Sequence, residues 1–565
     1  MKKYLFLAVA LLGLASCAKE DLTNGNEPIH NGEIEESYIA INLSASDITR
    51  AEETTPEFED GEEAECRVNH VDFFFFDEAG NPFSVVGNPA VAPGGGINHL
   101  RAVNVKFSAD GNNGDDISDT SSPVLLLQTY KGHYPSQIVA VLNWSPAMDK
   151  SYSLEELHTA VAIQNTFTNA EEVDTNYFVM SNAVYAQNGK AVYATPLSYD
   201  NIQKNEEDAK KAPVNIYVER VAAKVQLNAN EKYNLEESVD YQPLGGGTTI
   251  EGGVYAKILG WDLYRDNSQS KLLKEIDGAW TTAAIGFNWN DEPWYRSYWA
   301  ISMAAPTDDQ IFSAYPFARG AHTYIGENTT GKATCTKAVI KAQLVTTVND
   351  VDKPLELAIW NNVEYVDEVG TDGSQGGKSL RIAVANTLKY TYFTKSGDTY
   401  TGLTPEDLKC VEGGGEGAPQ GVAANEVYFQ LSDTGKSKVW YKLVNGEYKQ
   451  MSNDNNSDPK GDKATNEALK SVPEAVLYKN GETFYYVDIK HLGNGEGKDG
   501  DYGIVRNHVY NVTINSIKGY GSPVYTGVSY LEYPQITEQS TYVSAKINIL
   551  SWRLVNQTVD IQPNN

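Results

Sequence analysis

Basic charge, metal-ligand clusters and catalytic motifs are all scarce in this chain. Lys and Arg number 45 against 75 Asp and Glu, a net charge of −30 over 565 residues. A surface of that sign repels phosphate, which excludes nucleic acid as a partner. It suits a soluble, self-repelling exterior. Only four cysteines occur, Cys17, Cys66, Cys335 and Cys410. They show no CxxC spacing, so neither a disulfide framework nor a zinc site is built from them. The eight histidines stand at no metal-ligand spacing, and HExxH is absent. The nucleophile elbow GxSxG and the P-loop are missing too. Three glycine triplets, 94–96, 245–247 and 413–415, lack a following Lys-Ser/Thr and read as loops. No catalytic residue, metal or cofactor is expected, and the chain is not read as an enzyme.

What the sequence does hold is β-forming material. Hydrophobic residues make up 41%, and 35 tyrosines and 47 glycines accompany many Val, Thr and Ile. That mixture favours short strands separated by turns. The length suffices for two or three cores.

The N-terminus is organised for export. Met1-Lys2-Lys3 is basic, and the apolar run from Tyr4 to Leu14 is too short to span a bilayer, so it reads as a signal peptide. It ends Leu14-Ala15-Ser16-Cys17, small residues before a cysteine as in the bacterial lipobox, which marks Cys17 for acylation. An acyl chain contributes ~0.8 kcal/mol per buried CH₂ toward holding a precursor on a membrane leaflet. Lys19-Glu20-Asp21 resembles the surface-export signal of Bacteroidetes lipoproteins, and a polar tether follows it to Glu36. Then comes Tyr38 to Ala45, a strand with Ile39, Ile41, Leu43 and Ala45 on one face. Arg50-Ala51 sits between that strand and the acidic run Glu52-Glu53, in the kind of loop proteases cut.

Further strands are expected over 68–76, 124–128, 138–143, 177–182, 214–227, 255–264, 337–347, 484–489 and 502–514. Four consecutive phenylalanines, Phe73 to Phe76, predict a strand covered on both faces. Ser153 should cap a short helix at Leu154–Leu157. Residues 349–479 are rich in Gly, Asp, Lys and Asn, with hairpin signals at Asn445-Gly446 and Asn480-Gly481. The last stretch alternates twice: Val543, Ala545, Ile547 and Ile549 share one face, and after Trp552 so do Val555, Val559 and Ile561. Such strands either close their own sheet or are donated to another molecule.

These features predict a mainly β fold of two β-sandwich domains in tandem. The expected organisation is a signal peptide and lipobox (1–17), a propeptide with tether and first strand (18–50), an N-terminal sandwich (51–228), a C-terminal sandwich with insertions (229–540) and C-terminal donor strands (541–565).

In their order along the chain, Cys17, the first strand, Arg50, VERVAAKV (218–225), RSYWA (296–300), YIGENT (324–329), GIVRNHVYNVTI (503–514) and AKINILSW (545–552) resemble the Bacteroidetes type V fimbrillins, and among them the Mfa-type major fimbrial subunits. The resemblance implies transthyretin-like, Greek-key sandwiches. It implies a lipoprotein precursor at the outer membrane that becomes a subunit of an extracellular fimbria, with roles in adhesion, biofilm and virulence. An arginine-specific protease would cut after Arg50. The strand bearing Ile39, Ile41, Leu43 and Ala45 would then leave. The C-terminal strands of another copy would fill its place, so copies join head to tail. Accessory and anchor pilins and host or bacterial surface receptors are the other implied partners. The physics agrees: two apolar faces of equal period can exchange, and a one-residue slip would bury Lys546 and Asn548. Two alternatives are a tip or accessory adhesin of the same family and a surface glycan-binding lipoprotein. The second would use Arg296 and Trp299, or Glu327 and Asn328, against sugar.

Overall fold

The computed structural model describes residues 34–45, 58–59, 65, 68–85, 97–103, 124–130, 132–163, 178–187, 190–235, 253–276, 300–303, 317, 320–361, 363–366, 378–414, 418–419, 421–422, 425–453, 459–491, 502–523 and 552–561. The fold is mainly β, as expected. The first half is organised by β1 (Ile34–Ala45), with a two-residue strand β2 (Phe58–Glu59) after it. Then come β3 (His70–Phe76), β4 (His99–Val103), β5 (Val124–Tyr130), β6 (Gln137–Leu142), helix α1 (Leu154–Thr159), β7 (Met180–Asn182) and β8 (Val214–Arg220). Their order across the sheet is β4-β3-β6-β7-β8-β1-β5.

The phenylalanine run behaves as its composition predicts. Phe73 and Phe75 pack into one core with Ile39, Ile41, Ile138 and Ile216. Phe74 and Phe76 pack on the other face with Val139, Val141 and Leu157. All four rings are fully buried. A period of two leaves no polar position because both faces are covered. Leu157 reaches this second layer from α1, whose start is fixed by a capping box. The Glu156 amide donates to Ser153 Oγ at 3.1 Å, and the Ser153 amide donates to the Glu156 carboxylate at 2.8 Å.

The second sheet contains β9 (Ala223–Asn228), which the sequence reading had joined to β8 as one strand over 214–227. The chain changes sheets at Val221-Ala222, where the Asn507 amide donates to the Ala222 carbonyl at 2.7 Å. The second half also contains β10 (Tyr255–Tyr264), β11 (His322–Ile325), β12 (Lys337–Val348), β13 (Glu482–Asp488), β14 (His508–Ile517) and β15 (Trp552–Ile561). One sheet runs β11-β9-β14-β15-β2. The other has β10, β12 and β13 as neighbours. Between them lies one core that includes Val225, Trp261, Leu263, Ile340, Val487, Tyr510 and Val512. Two sheets around a shared apolar layer make a sandwich.

Residues between β12 and β13 fold into a unit of their own. Its strands form a five-stranded sheet (Val363–Val366, Leu357–Trp360, Ala475–Tyr478, Glu426–Leu431, Leu408–Glu412) and a four-stranded one (Thr399–Gly402, Tyr392–Ser396, Trp440–Val444, Glu447–Gln450). Trp440, Leu380, Val384, Phe429 and Leu469 fill a separate core. Helices α2 (Lys378–Leu388) and α3 (Asp462–Leu469) supply three of these residues. The turn at Asn445-Gly446 has φ of 51° and 83°, the left-handed pair that a two-residue hairpin requires.

Candidate functional site

The candidate site is the slot that β1 occupies. β1 is internal to its sheet. It runs parallel to β8, in register from Ile41↔Val214 to Ala45↔Val218, and antiparallel to β5, from Ile34↔Tyr130 to Ala40↔Val124. Ile39, Ala40 and Ile41 are completely buried. Tyr38 exchanges backbone hydrogen bonds of 2.7 and 2.9 Å with Gln203. Leu43 lies opposite Ile216 and Ala45 opposite Val218. The displaced-strand residues of the sequence reading are thus all on one described strand. Each fully buried Ile contributes about 1.5–3 kcal/mol through area removed from water. Taking β1 out would also strip ladder partners from β8 and β5 together, and unmet backbone groups are costly.

Cys17, Arg50, Ala51, Val543, Ala545, Ile547 and Ile549 lie outside the described residues. Trp552, Val555, Val559 and Ile561 lie on β15. The sequence allows this segment either to close its own sheet or to be donated, and here residues 552–561 are paired within their own chain. β15 runs parallel to β14, with Val555 opposite Tyr510, Val559 opposite Ile514 and Ile561 opposite Ile517. On its other side β2 pairs antiparallel, Phe58 opposite Arg553 and Glu59 opposite Trp552. The physical reason is an open edge: β14 is bonded to β9 on one side and presents its other row of N–H and C=O groups to whatever strand is near.

Sequence reasoning missed a set of buried charges where the two halves meet. The Arg506 guanidinium donates to both Glu327 oxygens, Nε at 2.9 Å and Nη2 at 2.7 Å, and to the carbonyls of Leu272 and Lys271 at 3.1 and 2.6 Å. Lys224 Nζ lies 2.8 Å from Glu65, and Lys274 Nζ lies 2.6 Å from Glu219. All six side chains are at most 3% exposed. Burial tends to lower the Arg506 pKa, but the Glu327 charge and hydrogen bonds override it and hold the group above its ordinary value. The one available signal was each charge's setting inside an apolar run, as in VAAKV and GIVRNHV.

This geometry corrects the sugar-site reading of Glu327 and Asn328. Glu327 is taken by Arg506, and Asn328, fully buried, donates to Thr334 O and Thr336 Oγ1 at 3.0 Å each. Neither reaches solvent to meet a ligand. Arg296 and Trp299 lie outside the described residues. Cys335 is a buried free thiol, and Cys410 is buried. Among the described residues no group of His, Cys, Asp and Glu could hold a metal ion, and no helix is long and apolar enough to cross a membrane.

Residues 476–558 match the family model for the C-terminal part of fimbrillin, the type IV major fimbrial subunit protein. No curated protein matches the chain. Among solved structures, a candidate cell adhesion protein from Bacteroides eggerthii aligns at 14% identity over 59% of this chain and 80% of its own, TM-score 0.29. A fimbrial assembly protein from Parabacteroides distasonis aligns at 13% identity over 59% and 86%, TM-score 0.27. The tip fimbrial protein Mfa3 of Porphyromonas gingivalis, C-terminally truncated, aligns at 13% over 57% and 81%, TM-score 0.26. At those TM-scores the superpositions carry no argument. The family match takes in β13, β14 and most of β15, so the fimbrillin resemblance read from the sequence is borne out on the strands that form the chain's C-terminal sheets.

Proposed function

We propose that this chain is a structural shaft subunit of a cell-surface fimbria, polymerised by strand exchange. It is exported as a lipoprotein through Cys17 and cut between Arg50 and Ala51. Cleavage frees β1, because the scissile bond follows the strand's last residue, Ala45, by five positions. The vacated slot between β8 and β5 then accepts the C-terminal strand of the next copy, with Val543, Ala545, Ile547 and Ile549 standing where β1 had its apolar face. Head-to-tail contacts of this kind do not close, so they propagate into a fibre. The precursor is held at the outer membrane by its lipid, and cleavage releases it to the extracellular fimbria. Accessory and anchor pilins, an arginine-specific protease and surface receptors are the partners of this reading.

The observation that carries it is the internal position of β1: a strand bonded to both β5 and β8 and buried at Ile39 and Ile41, with a candidate cut site only five residues past its end. An inserted strand would contribute on the order of 5–10 kcal/mol before ordering costs. Two variants test the reading in cells. Arg50→Ala should leave lipid-anchored, unpolymerised precursor. Deleting 541–565 should give a cleaved protein that forms no chains. Fibres of normal length on electron microscopy from either variant would refute it.

A further inference from the structure

The pair Glu219–Lys274 is built differently from its two neighbours. Glu327 has both oxygens engaged by Arg506, and Glu65 meets both Lys224 and the Tyr324 hydroxyl. Glu219 Oε2 lies 2.6 Å from Lys274 Nζ, but Glu219 Oε1 is buried with no hydrogen-bond partner among the described residues. Lys274 is 1% and Glu219 3% exposed. A buried ion pair with an orphaned oxygen is poorly compensated, since its remaining lone pairs stay unsatisfied. We propose that Glu219 and Lys274 condense into an intramolecular isopeptide bond, joining β8 of the first sheet to the segment that follows residue 271 in the second half.

The chemistry balances within the pair. In its neutral form it is a carboxylic acid beside a primary amine. The Lys274 nitrogen lone pair attacks Glu219 Cδ and a C–N bond forms. The C–O bond to the protonated oxygen breaks, and that hydroxyl leaves with one Nζ proton as water. No oxidant or cofactor is consumed. The environment favours each requirement. Burial pushes the Glu219 carboxyl up, against the opposing pull of Lys274 and Arg506. Burial pushes the Lys274 amine down, against the pull of Glu219. Both directions lead to the neutral, reactive pair. The Arg506 charge acts on the Glu219 carboxyl, where a tetrahedral intermediate would carry its oxyanion. The amide product is uncharged, so it removes the desolvation cost that the ion pair carries.

Position adds a structural reason for the bond. The strand Gln269–Lys271 pairs with Val161–Ile163, and the Leu272 carbonyl accepts from Ser181 Oγ at 2.6 Å. Lys274 is therefore delivered to β8 by a segment already fixed on the first half at two points.

Peptide mapping of the purified full chain under denaturing conditions decides it. A tryptic peptide spanning 212–220 should appear joined to one spanning 272–296, because acylated Lys274 resists cleavage. Their combined mass should be lower by one water, about 18 Da. Recovery of unlinked 212–220 together with efficient cutting after Lys274 would overturn the proposal. This readout needs no variant, so it stands even where a substitution fails to fold. In Lys274→Arg the linked species should vanish; its persistence would equally overturn the assignment.

Discussion

Replacing Glu327 by alanine isolates one member of the buried charge set and should be the most damaging single substitution among them. Arg506 is fully buried and would keep its two carbonyl acceptors, Leu272 and Lys271, while losing both bonds to the carboxylate. Breaking a buried pair by removing one partner costs about 3–5 kcal/mol, because the other charge stays in place without compensation. The retained carbonyl bonds place this case at the lower end, about 3 kcal/mol. That is a large part of the ~5–15 kcal/mol that holds a folded domain. Urea denaturation followed by tryptophan fluorescence measures it. The control is Glu206→Ala, whose partner Lys210 is 56% exposed at 2.6 Å; that loss should stay within about 0.5 kcal/mol. The double replacement Glu327→Leu with Arg506→Met removes both charges and should recover most of the loss. A cost below about 1 kcal/mol for Glu327→Ala would refute the idea that this pair compensates a buried charge.

Ile41→Ala should destabilise the uncleaved chain by about 2–5 kcal/mol in urea denaturation, the range for emptying a fully buried site. A loss below about 1 kcal/mol would contradict the burial of β1 in its slot. Asp352 accepts from Lys232, Lys257 and Thr347 at 3.0, 3.0 and 2.8 Å, which holds its carboxyl well below the usual range. A depressed folded value gives stability that is present above the unfolded pKa and lost as pH falls toward the folded one. Asp352→Asn should therefore lower stability at pH 7 and flatten its decline in acid, as read from thermal unfolding across pH. Burial pushes the Cys335 thiol up to about 12, so it should resist iodoacetamide at pH 8 in the folded protein and react once unfolded. Ser153→Ala takes away the Oγ that accepts from the Glu156 amide, leaves the Ser153 amide bonded to the Glu156 carboxylate, and should cost about 1 kcal/mol in the same denaturation assay.

Period was the legible part of this molecule, and partnership was not. Alternation placed Ile39 and Ile41 on one buried face, and β1 extends only four residues further back, to Ile34. The unbroken run Phe73–Phe76 announced a strand with two covered faces, because no other environment tolerates four adjacent rings. Which strand lies beside which is set by long-range pairing and leaves no local trace. Val214 to Leu227 reads as one strand, yet it serves two sheets, since the break at Val221-Ala222 has no Gly or Pro to mark it. Residues 502–514 likewise read as continuous. In the structure Asn507 takes φ of 56°, a left-handed turn that asparagine tolerates, and β14 begins only at His508. Charge misled for a similar reason: Glu219, Lys224 and Arg506 fall where alternation would place solvent, and only the fold brings opposite charges to them. The unit between β12 and β13 showed its hairpins but not its independent core, because its apolar residues are spread over more than a hundred positions.

The division of Val214–Asn228 between two sheets has a mechanical consequence. β8 is laced to β1 and β9 to β14 by parallel ladders, and only two residues separate them. In a polymer joined through the β1 slot, tension entering along the inserted strand would pass into β8, across Val221-Ala222 into β9, and out through β14 to β15. Every transfer on that route loads its hydrogen bonds sideways, along the strands, so a ladder must fail as a whole rather than open one rung at a time. A fibre assembled this way would resist drag through rate, since forced failure is governed by how slowly such a cooperative unit unfolds.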